Sequence, residues 1–178
     1  MDLGPVDHIV ADAIGEPGFR TFYLQARHGP ELVTVIMEKQ QVQLLATSVQ
    51  DLLADVVTGT EAGTGDDEES LALEEPLEPR WRAGRLSIGF DRENDLFVLE
   101  VEEYQPDLDP DEDDPRSILE GEPETIRILA SRSQMQALSR HGAAVAERGR
   151  PLCQLCGNPM DPEGHACPAT NGHRKPRA

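Results

Sequence analysis

Apolar residues in this chain alternate with polar ones in some stretches and recur every three or four positions in others. Alternation and β-branched residues predict strands over residues 8–15, 20–27, 31–37, 85–91, 96–104 and 125–130. Between residues 39 and 57 an apolar stripe at three- and four-residue spacing predicts a helix that faces a sheet. A second helix is predicted over residues 131–148. The chain is therefore predicted to have an α+β fold.

The two halves of the chain follow the same order of predicted elements. Residues 33–45 align with residues 126–138 at a shift of 93 positions, and both segments contain Gln-x-Gln-x-Leu. We interpret this match as two pseudo-repeated β-β-β-α units, in residues 1–58 and 80–150, although strand–helix junctions also share composition. Connections within a half are too short for parallel crossovers, so we expect an antiparallel sheet covered by two helices.

Acidic residues are concentrated in two segments. Residues 59–79 hold eight acids and no base, which predicts a flexible linker. Residues 105–122 form a predicted acidic loop within the second half. The formal net charge is −18, yet the chain from Arg140 onward carries +3, which leaves −21 for the preceding part. Such a body repels nucleic acid and leaves the tail as the candidate contact.

The remaining composition favours a cytoplasmic protein. No apolar run is long enough to predict a membrane span, and the residues after Met1 lack the basic and long apolar regions of a signal peptide. All three cysteines fall within fifteen positions, in the spacing of a metal site and not of a disulfide framework. We therefore expect a reducing compartment.

Those cysteines carry the most specific chemical pattern in the chain, Cys153-x2-Cys156-x8-His165-x-Cys167. Two close pairs of soft ligands are what tetrahedral Zn²⁺ requires, because each pair binds the metal through one tight turn. Four protein ligands leave no position for water or substrate, so the predicted site is structural. His173 is the alternative to His165 if the second turn proves too tight. Residues 151–178 are therefore predicted to be a small zinc knuckle.

The chain also resembles an uncharacterised actinobacterial family of unknown function. The resemblance rests on the tail, residues 151–168 and 171–174, and on two earlier segments, Arg20-Thr-Phe-Tyr-Leu-Gln-Ala-Arg27 and Glu38-Lys-Gln-Gln41. It spans nearly the whole chain. It implies a cytoplasmic protein, sometimes described as a repeat protein, encoded near a histidine-phosphatase-like protein and a kinase-like protein. The resemblance implies no activity.

Two further groups of residues are candidates for binding. Trp81 lies with Arg80, Arg82 and Arg85 in a basic interruption of the acidic middle, which is a candidate groove for an anionic partner. Arg27-His28-Gly29 is similar to the opening of histidine phosphatases. Pro30 and another predicted strand follow it, so we predict a hairpin turn there.

The sequence favours a non-enzymatic interaction or regulatory protein with a structural zinc site and a protein partner. One alternative is an enzyme with a site in the groove between the repeats, around Trp81, Arg27 and His28. Another is a zinc-knuckle nucleic-acid binder, which the sequence disfavours because no aromatic residue follows Tyr104 to stack on bases.

Overall fold

The structure, a computed structural model, describes residues 1–56, 71–106, 122–148, 153–158, 160 and 167–168. These residues form an α+β fold with one seven-stranded sheet and two helices. The elements in chain order are β1 (Asp2–Leu3), β2 (His8–Ile14), β3 (Thr21–His28), β4 (Glu31–Met37), α1 (Lys39–Val56), β5 (Pro79–Asp91), β6 (Leu96–Glu103), β7 (Thr125–Ala130) and α2 (Arg132–Glu147).

The sheet is mixed, with the strand order β1-β7-β6-β5-β4-β3-β2. The predicted antiparallel hairpins within each half are confirmed, since β2, β3 and β4 pair antiparallel, as do β5, β6 and β7. The sheet as a whole is not the predicted antiparallel sheet, because β4 pairs with β5 and β1 pairs with β7 in parallel. The connection from β4 to β5 contains α1, which gives the chain the length a parallel crossover needs.

The N-terminal segment brings the two ends of the sheet together. The outermost strands, β1 and β2, are separated along the chain only by residues 4–7. In a flat sheet of seven strands, the two outermost strands would lie about 29 Å apart. The five backbone steps from the end of β1 to the beginning of β2 span at most about 18 Å. Val6 N–H donates to the Leu129 carbonyl at 2.8 Å, and Asp7 N–H donates to the Arg27 carbonyl at 2.8 Å. The sheet therefore curves until β7 and β3 share a connecting segment.

Both helices bury apolar side chains in the core that the curved sheet encloses. Val42, Leu45 and Val49 of α1 are at most 5% exposed, and α2 contributes Met135 and Leu138. The helices also pack on each other. Neither described helix carries an apolar stretch long enough to cross a bilayer.

A glutamine performs the same task at the start of both helices. Glu38 N–H donates to Gln41 Oε1 at 2.7 Å, and Ser131 N–H donates to Gln134 Oε1 at 2.9 Å. Each bond satisfies a backbone donor at a helix start. These glutamines are the equivalent positions of the Gln-x-Gln-x-Leu match, so local capping accounts for part of it. The duplication of a β-β-β-α unit stays a prediction.

Part of the segment predicted as a flexible linker is packed against the sheet. Leu71 is 8% exposed and contacts Val10 and Ala137. The fully buried Gln25 side chain binds the backbone of Glu74, accepting from its N–H at 2.6 Å and donating to its carbonyl at 2.9 Å. Pro79 already belongs to β5. The rest of the predicted linker, 59–70, and most of the predicted acidic loop, 107–121, lie outside the described residues.

Asp12 and His141 join β2 to α2, and we expect this pair to contribute a pH dependence to stability. Burial disfavours the Asp12 carboxylate, but the contact with His141 and the Ala13 N–H outweigh it, so the pKa of Asp12 lies below its ordinary value of 3.8. A group with a lowered folded pKa stabilises the fold above its unfolded pKa and loses that contribution as pH falls. Asp12→Asn should therefore lower the melting temperature more at pH 5 than at pH 3. Thermal unfolding at both values checks this, and an equal loss at both would contradict it.

Candidate metal centre

A short loop positions the first two cysteines. Cys153 N–H donates to the Asn158 carbonyl at 2.8 Å, and Gly157 N–H donates back to the Cys153 carbonyl at 2.8 Å. Gly157 has a φ of +72°, a conformation that side-chain-bearing residues rarely adopt. These two bonds and the glycine turn the chain sharply between Cys153 and Asn158. The Cys153 and Cys156 sulfurs consequently face one common point.

Cys167 brings a third sulfur to the same point. The Sγ atoms of Cys153, Cys156 and Cys167 all lie within 4.8 Å of one another. Cys153 Sγ and Cys167 Sγ are 3.8 Å apart, which is far longer than a disulfide bond of about 2.05 Å. Two thiolates on a tetrahedral zinc ion, each with a Zn–S bond of about 2.3 Å, would be about 3.8 Å apart. The cluster therefore fits a metal ion with thiolate ligands.

The electrostatics of the cluster favour a cation. The Asn158 N–H stabilises the Cys156 thiolate, but burial and the neighbouring Cys167 and Cys153 sulfurs act in the opposite direction and leave the pKa of Cys156 raised. Adjacent thiolates repel one another, and a metal cation reverses that repulsion. Soft sulfur ligands favour zinc and other thiophilic ions over Mg²⁺ or Ca²⁺. The three thiols are thus a site that a soft cation would complete.

The structure brings together three of the four predicted ligands. Sequence spacing identified Cys153, Cys156 and Cys167. The backbone carbonyl of Asn158, which closes the loop, has no signal in the side-chain pattern. His165 and its alternative His173 lie outside the described residues, so the fourth ligand stays a prediction.

The predicted basic group around Trp81 does not converge on one point. Trp81 packs against the core and its Nε1–H donates to Glu124 Oε2 at 3.2 Å. Arg80 also lies near that carboxylate, at 3.9 Å.

Arg82 and Arg85 line a different feature, a cleft of about 810 Å³ beside the start of α1. There Arg82 pairs with Glu38, and Arg85 pairs with Glu102 at 2.8 Å. Each of the three arginines predicted to attract an anionic partner thus has a carboxylate partner of its own.

The Arg27-His28-Gly29 motif forms a hairpin turn, as predicted. β3 ends at His28, β4 begins at Glu31, and the two strands pair antiparallel. Arg27 Nε lies 3.0 Å from Glu74 Oε2, and His28 Nδ1 lies 2.8 Å from the Pro5 carbonyl. Arg27 therefore contacts the segment that precedes β5, and His28 contacts the segment that precedes β2.

Comparison with known proteins assigns the chain to a protein family. A family described as "Protein of unknown function (DUF3090)" matches residues 1–167, a span that includes the whole sheet, both helices and the three cysteines. Neither a curated protein nor a solved structure matches the chain.

Proposed function

Because the chain belongs to the DUF3090 family, whose function is unknown, we propose a function from the site itself. The protein is a non-enzymatic interaction or regulatory protein whose C-terminal segment is held by a structural Zn²⁺. The observation that carries this proposal is the convergence of the Cys153, Cys156 and Cys167 sulfurs to within 4.8 Å. His165 supplies the fourth ligand, and a closed set of four ligands holds the chain in place without catalysing a reaction.

The exposure of Leu155 supports a docking role for the metal loop. This residue lies between the first two cysteines and is 68% exposed, whereas Cys153 beside it in the loop is 9% exposed. A metal ion bound by the cysteines would fix the loop and hold this apolar side chain toward solvent. Such preorganisation lowers the entropic cost of binding. The thiol state of the cluster also fits a reducing compartment such as the cytoplasm.

The interaction proposal predicts a partner that depends on the metal. We expect intact protein, used as bait in a reducing lysate, to retain a partner that Cys156→Ser loses together with its metal. Leu155→Ser should keep the metal and still lose most of the partner, because it removes only the exposed contact. Protein identification of the retained fraction and metal analysis of each bait provide the measurement. The neighbours implied by the family resemblance, a histidine-phosphatase-like and a kinase-like protein, are the first candidates.

Two results of this experiment would count against the proposal. If metal-loaded bait retained no specific partner, the zinc would only stabilise the C-terminal segment and would have no role in an interaction. A partner held equally by intact protein and Cys156→Ser would place the interaction elsewhere on the molecule.

A further inference from the structure

Strand β5 continues well past the point at which its pairing with β4 ends. It spans Pro79–Asp91, but its pairing with β4 reaches only from Pro79 to Arg82. Its other edge pairs with β6 as far as Asp91. Beyond Arg82, no strand in the described part of the chain pairs with the β4-side edge. In an antiparallel pair, alternate residues direct their N–H and C=O groups away from the partner strand. Within the described part of the chain, residues 86–91 therefore present backbone groups along an edge that no strand covers, called the open edge below.

Helix α1 forms a wall opposite this edge. Gln41 Nε2–H donates to the carbonyls of Ala83 and Gly84, at 3.0 and 2.7 Å, and so fixes the helix beside the strand. The space between them, about 210 Å³, is the α1–β5 groove. Its apolar lining consists of Leu44, Leu45, Leu86, Ile88 and Leu99.

The lining of the groove is only partly covered by the rest of the described chain. Leu44 on α1 is 68% exposed, and Leu86 and Ile88 on β5 are half-buried. In contrast, Leu99 on the neighbouring strand β6 is fully buried. A volume of about 210 Å³ is below the usual 300–1,000 Å³ of small-molecule pockets. The groove therefore suits one or two apolar side chains of a longer ligand.

Charge at the end of the groove indicates the character of that ligand. Gln41 and Gly84 line both the groove and the charged cleft described above, so the two are continuous. The charged residues of the cleft are Glu38, Glu102, Glu103, Arg82 and Arg85. Both arginines pair with carboxylates, which leaves an excess of negative charge on a protein whose net charge is already −18. Long-range electrostatics then favour a cationic ligand.

We propose that the α1–β5 groove binds an extended basic peptide of a partner protein by strand addition. The peptide backbone pairs with the open edge of β5, an apolar side chain enters between Leu44 and Ile88, and a lysine or arginine reaches the carboxylates of the cleft. Strand addition supplies affinity through the backbone and specificity through alternate side chains. A second copy of this chain is a poorer occupant, because it also carries a net charge of −18 and its own β5 is flanked by its own α1.

The test uses a phage-displayed library of random nonapeptides, selected on the full-length, metal-loaded protein. We expect the selected peptides to contain lysine or arginine and an apolar residue, and to lack proline at central positions. Leu44→Lys removes one apolar wall and adds a repulsive charge, whereas Gln43→Lys adds the same charge at an exposed helix position outside the groove. A synthetic selected peptide should bind Leu44→Lys at least tenfold more weakly, and Gln43→Lys within about twofold of wild type. Binding should also slow hydrogen exchange of β5 amides.

Three results would overturn the inference. They are a selection that enriches no peptide, a peptide that binds Leu44→Lys and Gln43→Lys equally, and a wild-type dimer in light scattering that Leu44→Lys dissociates. The last result would assign the groove to a second copy. The inference is independent of the metal site, since Cys156→Ser should bind the selected peptide as wild type does. Failure of the groove and failure of the proposed docking loop are therefore distinguishable.

Discussion

Cys156→Ser is expected to release the bound metal and to free the segment beyond residue 152, while the sheet and helices keep their stability. A tetrahedral site that loses one thiolate loses much of a binding free energy that amounts to about 10–16 kcal/mol in zinc-finger peptides. That free energy stabilises only the part of the chain that the metal organises. We therefore expect metal content to fall from about one equivalent to near zero, with the main thermal transition changed by less than about 3 °C.

Leu155→Ser is the matched control for this experiment. It changes the neighbouring residue to the same serine, but Leu155 is exposed and offers no ligand atom, so metal content should stay at about one equivalent. Metal analysis, hydrogen exchange of the Cys153–Asn158 amides and thermal unfolding provide the measurements. If Cys156→Ser lowered the main transition by tens of degrees, the metal would be part of the folding core. If it kept its metal, Cys156 would not be a ligand.

Most elements of the fold were predictable because their signals are local. Periodicity placed β4 and β7 at their observed bounds, and it placed α1 and α2 to within a residue at each end. Strand β1 was not predicted, because two residues are too few to show an alternation. The beginning of β5 was missed because charged residues interrupt its apolar alternation. The direction of strand pairing was the larger difference, since β4 pairs with β5 and β1 pairs with β7 in parallel. Whether β4 and β5 lie side by side in parallel depends on the path of α1 across the sheet, which is a long-range property.

The cysteine cluster could be predicted from a local sequence signal, whereas the α1–β5 groove could not. The three candidate ligands were visible in the sequence because Cys153 and Cys156 are close along the chain and cysteine is rare in it. The groove results from the length of β5 relative to β4, together with a helix held beside it by Gln41. No single segment encodes that relation. The composition of residues 71–79 likewise indicated a linker. It could not show that this segment is packed, because the residue that binds it, Gln25, lies on a distant strand.

Phe97→Ala is expected to be among the most destabilising single substitutions in the described core. Phe97 on β6 is fully buried, and its ring meets Phe90 edge to face at 5.1 Å. Removing a buried phenylalanine ring costs about 3–5 kcal/mol, because contacts are lost and the surrounding core relaxes only partly. At about 2–4 °C per kcal/mol, the melting temperature should fall by about 6–20 °C.

The matched control for that substitution is Phe19→Ala. Phe19 lies in the β2–β3 turn and is 83% exposed, so the same truncation there should change stability by less than about 0.5 kcal/mol. Calorimetric unfolding of both variants with metal bound gives the comparison. Comparable small losses in both would mean that the enclosed face of the curved sheet is not the tightly packed core described here. A large loss for Phe97→Ala alone would show that the enclosed face of the curved sheet is the packed core, and because both variants keep all three cysteines, the metal loop does not account for the difference.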